Sequence, residues 1–328
     1  MTTVNQAPAA TSRVRLVLCV VLALLCGAGV SVQSRINGQL GSDLGDGFVA
    51  ALISFGSGLV VISIVMLFSR GGRDGLRTVT TAVRAREIPW WHTAGGIGGG
   101  LFVLSQGLVV GLLGIALFTV ATVAGQTISG MVIDARGIGK IPPKAITVTR
   151  IVGAALALVS VVIAVLPQIN GQAHVWIIIF PVLVGLLLGL QQALNGQIKT
   201  LAKSATTATF FNFLYGTAIL FACELVNLAI RGFPHQFPSN PVLYIGGVVG
   251  VLFIAGYAFV VPIIGVLLQS LAAVSGQLLM ALLLDYVAPT SDAGVAVLTV
   301  VGTVLTLVAV LIASIRSRVA IRERARPI

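Results

Sequence analysis

The chain has 328 residues, of which 57% are hydrophobic and only 9% charged, with a mean hydropathy of +1.06. A water-soluble domain carries about 25% charged residues, so this composition excludes an ordinary soluble enzyme or binding module and requires lipid as the solvent. The net charge of +11 would suit nucleic acid, but the positions of the charges argue against it, as set out below.

In chain order, residues 1–13 are small and polar and read as a disordered cytoplasmic lead. Ten apolar stretches follow, each long enough to cross a bilayer at about 20 residues per span: 14–34, 47–68, 90–110, 114–133, 146–166, 175–194, 206–228, 242–261, 264–284 and 294–315. The first is too long for a signal-peptide core and is expected to be retained. The links between the third and fourth spans and between the eighth and ninth are only a few residues long. With the N-terminus inside, 18 of the 20 basic residues fall on the inner side, and only Arg35 and Arg231 fall outside. That asymmetry is the positive-inside rule and predicts cytoplasmic termini. The basic tail 316–328 reads as juxtamembrane anchoring to anionic lipid.

The chain also repeats itself. QSRINGQ at Gln33–Gln39 returns as QQALNGQ at Gln191–Gln197, an offset of 158 residues, which also matches Ser54-Phe55 to Asn212-Phe213 and Gly58 to Gly216. Further on the offset is 151, matching Gly95, Gly99, Gly125-Gln126 and Asp134 to Gly246, Gly250, Gly276-Gln277 and Asp285. The expected fold is therefore an all-α integral membrane protein of ten spans in two five-helix repeats, 14–166 and 175–315, joined by an outer linker at 167–174. An odd number of spans per copy makes the repeats inverted, as in many secondary transporters.

Polar side chains inside spans must face protein or a watery cavity. On the fourth span Thr119, Thr122, Gln126 and Ser129 share one helix face, and Ser270 and Gln277 form the matching stripe on the ninth. Gln126 and Gln277 sit near mid-span, where inverted-repeat transporters place their sites; interhelical hydrogen bonding is the alternative role. Gln33/Asn37 and Gln191/Asn195 are i, i+4 pairs. The glutamines read as cavity or gate residues, and the two Asn-Gly steps read as helix C-caps. The candidate cavity residues are thus Gln126, Gln277, Thr122, Ser270, Gln33 and Gln191. Glu224 is an acid inside a span, a candidate for coupling to a proton or cation, unless it reaches the interface or pairs with Arg231. Asp134 and Asp285 end spans against the helix dipole, so helix energetics do not explain them. The glycines of Gly95–Gly100 read as small-residue packing or as a groove cleared of side chains. The three cysteines read as packing residues, and no cofactor or metal motif is present.

The run 89–150, with Trp90-Trp91, the glycine span, Gly125-Gln126, Asp134 and Gly137, resembles the YdcZ-type inner-membrane exporters of the drug/metabolite transporter superfamily (EamA-like). Both halves match, over about 16–315, so the chain resembles a fused ten-span form of a unit that otherwise pairs as a dimer. The resemblance implies that the first four spans of each half line a central cavity, with the fifth and tenth peripheral. That would put Gln33, Gln126, Gln191 and Gln277 on cavity-lining helices. The second half departs from the pattern, with Pro241 and Val242 where the first has the tryptophan pair. The expected function is secondary transport of a small organic metabolite by alternating access, with export implied by the resemblance alone. The expected state is a monomer of fused repeats or a homodimer in the cytoplasmic membrane, with no nucleic-acid partner. A lipid-linked substrate flippase is the alternative within transport; a non-transporting scaffold or an intramembrane enzyme are the other classes.

Overall fold

A computed structural model describes residues 13–136, 147–169, 176–232, 236–288 and 297–314. The expected N-terminal lead, most of the 167–174 linker and the basic tail lie outside these residues. The described chain is all-helical: α1 (Arg13–Leu44), α2 (Gly47–Phe68), α3 (Arg70–Arg84), α4 (Gly96–Leu113), α5 (Ile115–Arg136), α6 (Val148–Ile169), α7 (Trp176–Ala202), α8 (Ala205–Arg231), α9 (Gly246–Val287) and α10 (Val297–Ser314). Short 3-10 turns at Trp90–Gly95 and Pro241–Tyr244 lead into α4 and α9. Six helical stretches are long and apolar enough to cross a membrane, those of α1, α2, α4 with its leading turn, α5, α7 and α8. Shorter apolar stretches are Ile151–Ala164, Gly246–Tyr257, Ala272–Val287 and Val297–Ile312.

The helix boundaries follow local chemistry. Gly45, at φ +64°, turns the chain out of α1. Asp46 then caps α2, its Oδ1 accepting from the amides of Phe48 (2.9 Å) and Val49 (3.2 Å), which satisfies two otherwise unmatched donors. The same turn recurs 158 residues on: Lys203 has φ +51° and Ser204 caps α8 by accepting from Thr207. Ser69 closes α2 and opens α3. Helix α3 lies between the second and third expected spans, where no helix was expected. It is amphipathic, with Val79 and Ala82 packed toward Ile198 and Phe211 of α7 and α8 and its arginines outward.

In α9 a break was expected at Pro262-Ile263, but the backbone is helical from Gly246 to Val287. Forty-two residues in a straight helix would measure roughly 63 Å at 1.5 Å per residue, about twice the hydrocarbon thickness. The contacts rule out a straight rod. Phe253 lies against Gly29, while Ala273 lies against Gly27; positions twenty residues apart on α9 meet points only two residues apart on α1. The helix axis therefore reverses between Val260 and Ala272, both of which pack near Cys19 and Ala23. Both arms run along α1. The reversal falls where proline, lacking an N–H, weakens the helix.

Glycines set the closest approaches, and they do so in pairs. A Cβ on Gly125 of α5 would strike the carbonyl of Val182 on α7; one on Gly276 of α9 would strike the carbonyl of Leu24 on α1. Gly185 faces the carbonyl of Thr122, and Gly27 that of Ala273. Gly96 faces the carbonyl of Asn212, and Gly247 that of Ser54. In every pair the two contacts are related by the offsets 158 and 151. Helices α6 and α10 pack on each other beside α5, and Gly302 meets Ser160 and Ala164 there.

Candidate functional site

The centre of the bundle is built around two aromatic rings. Phe55 of α2 and Phe213 of α8 have centroids 5.0 Å apart at an interplanar angle of 44°. Each ring lies over the other half's glycine: Phe213 over Gly58, Phe55 over Gly216. Any side chain at either glycine would displace a ring.

Two sets of amides flank this pair. In one, Gln191 and Asn195 of α7 both donate to the Oδ1 of Asn212 on α8, at 2.7 and 3.1 Å. Gly95 and Gly99 leave room for them; a Cβ on Gly99 would lie 2.9 Å from the Gln191 Nε2. In the other set, Gln33 donates to the carbonyl of Gly246 (2.8 Å). Asn37 donates to the Oε1 of Gln106 on α4 (2.6 Å), which donates to Ser34 (2.8 Å), whose hydroxyl donates to the carbonyl of Val30 (2.9 Å). Here Gly246 and Gly250 clear the space. Gln33, Asn37 and Ser54 occupy the positions that Gln191, Asn195 and Asn212 hold in the second half. The two sets are bonded differently: one converges on a single acceptor, the other is drawn apart toward α9 and α4.

Three buried oxygens at this centre have no protein partner: Asn37 Oδ1, Ser54 Oγ and Gln191 Oε1. Buried polar groups without partners are costly and rare. All three can accept a hydrogen bond, so the arrangement can receive donor groups of a polar solute, while Phe55 and Phe213 supply an apolar wall.

Gln33 and Gln191 thus belong to this centre. Asn37 and Asn195 do not cap helices, as their Asn-Gly steps had suggested: α1 and α7 run on for seven residues past each asparagine, and the amides are spent inside the bundle. Thr122 is fully buried at the α5–α7 crossing and donates to its own helix at Phe118 (2.9 Å). Ser129 packs against Gly189. Gln126 is half-buried on α5, and Gln277 is buried on α9, where its backbone carbonyl accepts from Ser31 (2.7 Å). The side chain of Ser270 lies outside the described residues. Asn212, Ser54, Gln106 and the two phenylalanines were not singled out as site residues; Ser54-Phe55 and Asn212-Phe213 stood out only as matching steps of the repeat.

Glu224 is buried against Asn227, which donates to its Oε2 (3.3 Å) and to the Oδ2 of Asp46 (2.7 Å). The side chain of Arg231 lies outside the described residues, as does that of Asp134. Asp285 has a clear role. Its two carboxylate oxygens accept from the first amides of α5, Ile115 (3.0 Å) and Ala116 (2.7 Å). An acid misplaced for its own helix is well placed for the neighbour's positive end.

The family model described as "Putative inner membrane exporter, YdcZ" matches the chain twice, over residues 18–163 and 176–312. No curated protein matches. A solved crystal structure that is 17% identical superposes with a TM-score of 0.51 over 96% of this chain and all of that one, a likeness of fold.

Proposed function

The chain belongs to the YdcZ family of inner membrane exporters and is a multi-pass protein of that membrane, and we propose that it is a secondary transporter built from ten spans in two inverted halves. Both termini are cytoplasmic, and a central site opens alternately to the two sides. The observation that carries this reading is the set of exchanged contacts. Gly125 to Val182 and Gly276 to Leu24 are one contact made twice, each time between the two halves rather than within one. The fold-back of α9 supports the count, since its arms correspond to the eighth and ninth spans. Two equivalent amide sets with different hydrogen-bond partners suit a site that switches between two arrangements.

The cargo is a small polar organic metabolite, neutral or zwitterionic. Amides offer donors and acceptors without the large cost of a buried charge, and the three unpartnered oxygens favour a solute with hydroxyl or amino groups. Gln33 and Gln191 contact it. Gln126, Gln277 and Ser270 line the path to it, and Thr122 packs the α5–α7 seam beside them.

A metabolite-wide thermal-shift screen on the purified protein tests this, because a ligand held 100-fold above its Kd stabilises the folded state by about 2.7 kcal/mol. A hit should stabilise the natural protein and not N212L or Q191L. Q126L and Q277L should weaken the shift while melting normally without ligand. Equal shifts in all four variants would remove the central site from the proposal.

A further inference from the structure

One buried cluster takes no part in the central site. Asp46, Asn227 and Glu224 are each at least nine-tenths buried and joined through a single amide. The Asn227 Nδ2 donates to Asp46 (2.7 Å) and to Glu224 (3.3 Å), which uses both of its hydrogens. The other Asp46 oxygen is held by the amides that begin α2. The Glu224 Oε1 is buried with no partner at all. Among the described residues no basic side chain pairs with either acid. The other charged residues near this end are Arg35 and Asp43 on α1 and Arg231 on α8. Arg35 lies within electrostatic reach of Asp285, and Asp43 is exposed and bonded by Gln39 (2.6 Å).

The repeat provides an internal control, because the equivalent corner at the other end draws on both halves in the reverse sense. At the positions equivalent to Asp46, Glu224 and Asn227 stand Ser204, Met66 and Ser69. Ser204 caps α8 as Asp46 caps α2, Met66 is buried at the Glu224 position, and Ser69 caps α3. The scaffold therefore holds this corner together with two hydroxyls and a thioether. The two carboxylates and the bridging amide exceed what the fold requires, and they occur at one end of the bundle only.

We infer that this cluster is a proton-binding site, with Glu224 the group that gains and loses the proton, Asp46 a fixed negative charge, and Asn227 the link between them. The assignment of roles follows from the bonding. Ionised Asp46 is matched by three donors, the two backbone amides at the N-terminus of α2 and the Asn227 side chain; an ionised Glu224 leaves one oxygen unmatched in a buried place, which is expensive. Hydronium gives its proton to a Glu224 oxygen and departs as water, and the cluster passes from two negative charges to one. On the transporter reading, on which the role but not the chemistry rests, the cluster lies at the outer end. Closing that end around two negative charges costs more than closing it around one, so proton uptake from outside favours closure.

Infrared difference spectroscopy on the purified protein in lipid, stepped from alkaline to acid pH with no solute added, tests this. The natural protein should gain a protonated-carboxyl band that is absent from E224Q and from E224M, the second variant copying the residue that the repeat already packs at this position. D46S imports the other half's cap; it should keep a band, with a smaller protonated share at the same pH. A band unchanged by both Glu224 variants overturns the inference, as does a melting temperature that responds to sodium ions at fixed pH with no titrating band. Because no solute is involved, a protein that binds the proton but exports nothing would sink the transporter reading alone.

Discussion

Asp285 and Asn212 are the single residues on which most depends, and each serves a helix other than its own. Asp285→Ala strips the acceptor from two buried amides of α5 at once. Hydrogen bonds to a charged group are worth about 1.5–3 kcal/mol, so the variant should lose about 2–3 kcal/mol in reversible unfolding in detergent, with Asp285→Asn losing less because one oxygen remains. Asn212→Leu removes the shared acceptor of Gln191 and Asn195 and should cost about 1–3 kcal/mol for the amides left unmatched. The two residues differed in how readable they were. The sequence marked Asp285 as unexplained, because a carboxylate at a helix C-terminus contradicts the dipole; only the tertiary neighbour resolves it. Asn212, a polar side chain inside the seventh span, carried the same signal as Gln126 but was read only as a matching step of the repeat, and Asp46 and Asn227 lie at span ends, where a polar residue draws no notice. Asn37 and Asn195 were misread because Asn-Gly is a good helix stop in water, whereas inside lipid a helix that stops exposes its carbonyls; two helices therefore run on and use the asparagines as packing amides.

Among the elements, the glycine seams α1–α9 and α5–α7 decide how closely helices approach. Gly125→Val and Gly276→Val each drive a side chain into a facing backbone, and overpacking of this kind costs typically 1–3 kcal/mol. Since the two contacts are equivalent, the losses should agree within about 1 kcal/mol in matched unfolding measurements. A large loss at one and none at the other would mean the seams are not equivalent. The helices themselves were legible from apolar run length, and the small-residue spacing from the repeat. The shape of α9 was half legible: Pro262 marked the reversal, but nothing in the sequence indicated that the helical backbone would carry on through it. Helix α3 was missed because its arginines read as loop charge, while its buried face consists of a few small or β-branched residues.

For the molecule as a whole, orientation is open to direct test. In a background lacking Cys19, Cys26 and Cys223, a cysteine at exposed Ser239 should react with an impermeant reagent in intact cells, and one at exposed Thr78 should not. The basis is the charge bias of the inner loops, and the reverse pattern would invert the topology. The glycine seams also bear on how the chain is made. Ser31 bonds a carbonyl 246 residues further on, so α1 enters the membrane long before its partner exists. At a synthesis rate of about 5–20 residues per second, that face stands open to lipid for roughly 10–50 s. The same holds in reverse for α5, whose partner α7 is the first helix of the later half. Neither half holds both sides of any major seam. A first half released early by a truncating mutation would carry two unmatched glycine faces, and its survival would depend on finding another copy of a complementary half before quality-control proteases found it.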